Sequence, residues 1–221
     1  MTLHFDFLSK YSNYFVVGTK NTIILALFAV IIGTILGLFL SMMKLSKVKI
    51  LKAFSIAYIE FVRGTPLLIQ IWIIYIGLPL LIGRDLPDMA TGIIALSLNS
   101  AAYVAEIIRA GIQAVDKGQM EAARSLGMKH GLAMKEIIIP QAFKNILPAL
   151  GNEFISIIKE SSMVSVIGVA ELMYNSGTVR AASFLGLEPL IVAAAIYFVI
   201  TFILTRIMGV VERRLKASDS R

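Results

Sequence analysis

The chain has 221 residues, 57% of them apolar and 16% charged, where a soluble domain has roughly 45–50% and roughly 25%. With a mean hydropathy of +0.82 it is excluded from the disordered class, which needs low hydrophobicity and high charge density. The lack of cysteine excludes a disulfide scaffold and thiolate metal sites, and two histidines leave little for zinc. What remains is an integral membrane protein, and its length fits one domain over residues 1–221. A net charge of +7 is expected where Lys and Arg collect in cytoplasmic loops. No basic run is interleaved with base-stacking aromatics, so nucleic acid is not an expected partner.

Residues 1–18 carry Phe5, Phe7, Leu8, Tyr11, Tyr14 and Phe15 near helical spacing. That predicts a separate amphipathic helix lying at the membrane interface. Five stretches then approach the ~20 apolar residues that one crossing needs. They are residues 21–43, 53–82, 88–115, 140–158 and 190–211. The first starts too late and runs too long for a signal peptide. Its Gly33 and Gly37 have the spacing that lets helices approach closely. Residues 163–173 are apolar but too few to cross, as in a re-entrant or interfacial segment. The expected fold is all-α, with five transmembrane helices.

Basic residues set the orientation. Lys44, Lys47, Lys49 and Lys52 follow the first stretch. Lys117, Arg124, Lys129 and Lys135 follow the third, and Arg213, Arg214, Lys216 and Arg221 form the tail. Five crossings put all three groups on one side. This predicts a cytoplasmic C-terminus and an N-terminus outside.

A charge at membrane depth costs roughly 2.5–3.5 kcal/mol on insertion scales, so each needs a reason. Glu60 with Arg63, and Glu106 with Arg109, are i,i+3 pairs on two antiparallel stretches at similar depth. They are expected either to neutralise one another between helices or to form a gate. Glu153 differs. It lies about 18 Å along the fourth stretch, near the bilayer middle. Pro148 frees a carbonyl before it, Gly151 loosens the same turn and Asn152 is its neighbour. A broken helix with a midplane carboxylate is the pattern of a transporter binding site, suited to an ammonium or guanidinium. The plainer alternative is pairing with Arg63 or Arg109. Gly64-Thr65-Pro66 is a second break, which exposes the Val62 carbonyl. Thr65 there is either part of a kink or a substrate contact. Glu160, about 28 Å along the fourth stretch, is a candidate for an outer gate or a partner of Ser161 or Ser162.

Residues 119–140 carry Glu121-Ala122-Ala123, three residues, Gly127, nine residues, then Ile137-Ile138-Ile139-Pro140. This spacing resembles the signature of permease subunits of bacterial ABC importers, with Ile139 in place of the usual leucine. Ala102 to Ile112 and Arg63-Gly64-Thr65-Pro66-Leu67-Leu68 resemble the polar amino acid branch. Glu160-Ser161-Ser162 and Ile167 to Leu172 extend the resemblance over roughly residues 18–215. It implies the type I importer permease architecture, with a short cytoplasmic coupling helix in a loop of about residues 116–135. Glu121, Ala122, Ala123 and Gly127 would dock on an ATPase. The residues themselves fit a short helix: good helix formers to Leu126, an acid near its start and Gly127 as its stop.

The implied partners are two ABC ATPase subunits, a second permease that is identical or closely related, an extracytoplasmic solute-binding protein and an amino acid substrate. No G-x-x-x-x-G-K-[ST] phosphate loop is present. ATP and Mg are therefore expected on the partner ATPase, and neither cofactor nor catalytic residue is expected here. The expected location is the bacterial inner membrane, and the expected cargo a polar, basic amino acid met by Glu153, Asn152 and Thr65. A secondary transporter or a channel-type protein without an ATPase is the alternative. Five crossings do not divide into inverted halves, a secondary transporter needs no docking motif, and a channel would lack the paired helix breaks around a midplane carboxylate.

Overall fold

The computed structural model describes residues 3–217, with side chains through 215. Arg221 and the side chain of Lys216, two of the tail cations, lie outside the described residues. Every regular element among the described residues is helical.

Helix α1 spans Leu8–Leu45, about 57 Å at the α-helical rise. It corrects the expectation of a separate interfacial helix over residues 1–18. No proline interrupts residues 8–45, and Gly18 does not break the helix because it fills a contact. A Cβ there would lie 2.8 Å from the Leu172 Cα. Of the N-terminal aromatics, Phe7 and Phe15 turn inward onto Leu172, Val179 and Ala193, whereas Phe5 and Tyr14 stay exposed.

The second stretch is two helices, α2 (Lys49–Gly64) and α3 (Leu67–Ile82), bent by 114° at the intervening break. Pro66 lacks a backbone donor and disfavours helical geometry in Thr65, so the helix cannot run through. Thr65 and Pro66 are accordingly extended. Helix α4 spans Asp88–Gln113 and α5 Lys117–Ser125. A four-residue turn, α6 (His130–Ala133), leads through a π-helical turn (Met134–Ile138) into α7 (Ile139–Glu160). A 3-10 helix over Ser161–Ile167 follows, then α8 (Leu172–Ser183) and α9 (Glu188–Ala217). The 163–173 segment forms the 3-10 helix and the turn into α8. Its Val164, Ile167 and Val169 are buried in the main core beside Leu25, Ile71, Leu96 and Ile158.

Among the described residues, Leu8–Leu45, Asp88–Gln113 and Glu188–Leu215 are each long and apolar enough to cross a membrane. The bent α2–α3 pair makes a fourth if its halves count as one span. α7 falls short by composition, because Gln141, Lys144, Asn145, Asn152 and Glu153 lower its hydropathy.

Close contacts give the helix directions. Gly33 meets Ser97 and Ser100, and Gly37 meets Ala101 and Val104, so α1 and α4 run parallel. Gly111 meets Ile146 while Ser100 reaches Glu153, so α7 runs against α4. Gly151 meets Met208, and Asn145 shares a cleft with Glu212, so α9 runs against α7. The C-terminal ends of α1, α4 and α9 therefore gather at one end of the bundle, with Lys44 in the last turn of α1, Lys117 just after α4, and Arg213 and Arg214 in the last turns of α9.

Candidate functional site

The site is built around α4. Pro66 deprives the Val62 carbonyl of its helical donor, and a side chain replaces it. The Gln70 amide nitrogen donates to the Val62 carbonyl at 2.7 Å, the Thr65 carbonyl at 3.1 Å and Thr65 Oγ1 at 3.0 Å. Thr65 Oγ1 in turn donates to the Phe61 carbonyl at 2.9 Å. Gln70 Oε1 accepts from Asn99 Nδ2 at 2.9 Å, and both amides are buried. One residue on, Ser100 Oγ donates to Glu153 Oε1 at 3.0 Å.

The expected break before Glu153 does not occur: α7 runs as one helix through Pro148 and Gly151, and Gly151 serves instead as a close contact for Met208 of α9. Glu153 is half-buried on α7, and the Ser100 contact is its one hydrogen bond among the described residues. An ionised carboxylate accepts about four bonds, so most of its capacity is open. Neither Arg63 nor Arg109 pairs with it among the described residues. Asn152 is exposed on the adjoining face. Glu160 lies two turns further along the same face, about 10 Å away, where α7 ends. The hydroxyls of Ser161 and Ser162 donate back to the Ile158 and Lys159 carbonyls at 2.8 and 2.7 Å, not to Glu160.

Glu60, Arg63, Glu106 and Arg109 do not form one group. Glu106 pairs with Arg109, whose Nε lies at 2.8 Å, and with Lys44 at 3.3 Å. Arg109 also holds Gln113. Glu60 and Arg63 are exposed, and the Arg63 guanidinium lies 5.8 Å from the centre of the Tyr103 ring. Among the described residues no ion pair joins Glu60 or Arg63 to Glu106 or Arg109. Lys44, on the end of α1, is the cation that the i,i+3 pattern concealed.

At the basic end, α5 is capped at both termini. The Asp116 carboxylate accepts from the Gly118 N–H at 2.7 Å, which satisfies an orphan donor. The chain leaves α5 through Gly127 at φ +84°, a conformation that glycine adopts without a Cβ clash. The Met128 N–H then closes on the Ala123 carbonyl at 3.1 Å. Ala123 is buried, whereas Glu121 and Ala122 are exposed. A cavity of about 520 Å³ lies beside α5, lined by Ile112, Val115, Asp116, Met120 and Ile138 among others.

Residues 20–217 match the family described as the binding-protein-dependent transport system inner membrane component. The chain belongs to this family. It is thus a membrane component of a transport system that relies on a binding protein. The arginine transport system permease protein ArtQ of Bacillus subtilis (strain 168) is 48% identical over 202 residues, 91% of this chain and 92% of that protein. A relative in Rickettsia bellii (strain RML369-C), GlnP, whose name assigns it to glutamine transport, is 43% identical over 217 residues, 97% of this chain and 100% of that protein. The crystal structure of an amino acid ABC transporter with histidines contains a chain 51% identical to this one, with a TM-score of 0.93 over 97% of this chain and 100% of that one. The fold is that of type I ABC importer permeases.

Sequence reasoning missed Gln70, Asn99, Ser100 and Asp116. Gln70 had a signal, being an amide in an otherwise apolar run four residues after a helix-breaking proline. Asp116 also had one, as an N-cap residue before Lys117. Ser100 had none, since small residues crowd the whole of α4.

Proposed function

We propose that this chain is the transmembrane permease subunit of an ATP-driven importer that takes polar amino acids, basic ones above all, across the bacterial inner membrane by alternating access. The carrying observation is Glu153: a half-buried carboxylate at mid-bundle with one hydrogen bond and open acceptor capacity. A desolvated carboxylate of this kind binds an ammonium or guanidinium strongly. Asn152 and Thr65 complete the proposed substrate contacts. Glu106 and Arg109, paired with Lys44, are proposed as an ion-paired gate, and Glu60, Arg63 and Glu160 as further gate residues.

In this reading the whole of residues 1–221 is one domain with five crossings. The bent α2–α3 pair makes the second and α7 the fourth. Support for an outside N-terminus and a cytoplasmic C-terminus comes from the basic segments gathered at one end of the bundle. α5 is the coupling helix. It is rigidly capped, and its Glu121 and Ala122 are free to meet an ATPase that holds ATP and Mg. Two such ATPases, a second permease and an extracytoplasmic binding protein complete the assembly. The relative named for arginine transport favours a basic cargo; the one named for glutamine makes a neutral polar cargo the second reading.

The test is uptake by the reconstituted complex in ATP-loaded proteoliposomes, with its binding protein, across the twenty amino acids. Arginine, lysine or histidine should be taken up, and Glu153→Gln should cut that uptake by roughly tenfold or more, the worth of one charge-assisted hydrogen bond. Full activity of Glu153→Gln on a cationic substrate overturns the carboxylate's role. Preferred uptake of glutamine establishes the second reading, and transport by the lone chain without an ATPase overturns the importer.

A further inference from the structure

Three consecutive residues of α4 meet three different helices. The Leu98 carbonyl accepts from the Tyr58 hydroxyl of α2 at 2.8 Å. Asn99 donates to Gln70 of α3 at 2.9 Å, and Ser100 donates to Glu153 of α7 at 3.0 Å. The Asn99 and Ser100 side chains point about 100° apart, so α3 and α7 approach from different sides, while Tyr58 of α2 reaches the backbone at Leu98. α1 packs closely beside the α7 contact: a Cβ on Gly33 would lie 2.7 Å from the Ser100 Cβ. α4 therefore has little room to turn or slide at this level.

The α2–α3 elbow turns through 114° at a two-residue break. The side-chain bonds that tie one half of the elbow to the other are those of Gln70. Its nitrogen holds the end of α2 at Val62 and Thr65, and its oxygen is held by Asn99. A buried amide left unpaired is costly, so these bonds act together and fix both the elbow's angle and its place on α4. Glu153 is fixed to the next residue of α4. We propose that Gln70 and Asn99 are positioning residues: they lock the elbow onto α4 and thereby set the spacing between the elbow's Thr65 and the carboxylate of Glu153. As a device for binding, this rests on Glu153 being the substrate carboxylate. As a geometric lock it does not.

The experiment has one readout for each half of that statement. The chain has no cysteine, so cysteines at the exposed positions Phe54 on α2 and Ile73 on α3 accept spin labels without further changes. In the assembled permease–ATPase complex, the distance between the labels should be narrowly distributed. It should broaden in Gln70→Leu and in Asn99→Leu, and the double variant should broaden no further. If Gln70→Leu does not assemble with the ATPase, Asn99→Ala serves, because it removes the tether to α4 and leaves the bonds across the break. The second readout is equilibrium binding of labelled arginine to the same complexes without binding protein. Affinity should fall about tenfold in either single variant, and no further in the double, as for one coupled unit.

A wild-type distance distribution in the variants overturns the lock. A broadened elbow with unchanged arginine affinity overturns the positioning role, because a purely structural bond would loosen the elbow without moving binding. If the unaltered complex binds none of the twenty amino acids, the reading of Glu153 fails. The distance measurement still decides whether Gln70 and Asn99 hold the elbow.

Discussion

Glu171 and Glu153 are both withdrawn from solvent, and they are held in opposite ways. Glu171 is fully buried at the start of α8. Its carboxylate accepts from the Met173 and Tyr174 N–H groups at 2.8 and 2.7 Å and from the Tyr197 hydroxyl at 2.7 Å. Around it, Thr22 accepts from the Leu172 N–H, while Asn21 and Asn175 both donate to the Ala170 carbonyl. α1, α8 and α9 are thereby tied at one point. Glu153 has a single serine donor and a half-open surrounding. A carboxylate whose donors are all internal is an N-cap and a rivet. One with unfilled capacity is what the proposed substrate role requires, and burial alone does not separate the two.

The largest difference is expected from removing each carboxylate. Glu171→Leu leaves two N–H groups and a tyrosine hydroxyl without an acceptor and should destabilise the protein by about 3 kcal/mol or more. Thermal unfolding of the purified protein in detergent would register this. Glu153→Gln keeps an acceptor for Ser100 and should leave the unfolding midpoint nearly unchanged while transport collapses. Equal loss of stability in both variants would erase the distinction.

Next come the glycines that bring α1 to each region. A Cβ at Gly18 meets the Leu172 backbone at 2.8 Å, and one at Gly33 meets Ser100 at 2.7 Å. Gly18→Ala and Gly33→Ala should each cost about 1–3 kcal/mol through overpacking. Only Gly33→Ala should also weaken amino acid binding to the assembled complex, since only it moves the donor of Glu153.

Smaller effects are expected from the hydroxyl donors themselves. Tyr197→Phe should cost about 1 kcal/mol of stability with no change in substrate affinity. Ser100→Ala should cost less stability but alter affinity, measured by binding of labelled substrate.

The smallest effect concerns α5, which belongs to neither region. Asp116→Ala removes an N-cap worth about 1 kcal/mol. It should speed amide hydrogen exchange at Gly118 and Gln119 without changing substrate binding.

Much of this was legible in the chain and some was not, for identifiable reasons. Gly127 was readable as a helix stop because a glycine after good helix formers has a specific backbone use, and its φ of +84° bears that use out. Pro66 was readable as a break because a missing N–H is a local fact. The angle of the break was not, since Gln70 and Asn99 are 29 positions apart. The continuity of α1 was misjudged because its first two turns carry mixed residues that bury against α8, an element with no strong pattern of its own. The four-charge group was misjudged because i,i+3 spacing shows what one helix offers and not what stands opposite.

By itself the sequence determined the class, the apolar character, the break at Pro66, the helix stop at Gly127 and the family, whereas the break it also marks at Pro148 does not occur. All of these rest on short-range spacing or on composition, which a one-dimensional chain carries in full. The tertiary structure decided which polar groups satisfy one another: Lys44 rather than Arg63 for Glu106, Tyr197 for Glu171, Ser100 for Glu153 and Gln70 for the broken helix. Those choices depend on which helix faces which, and glycines such as Gly18 and Gly33 set that by how closely they let α1 approach.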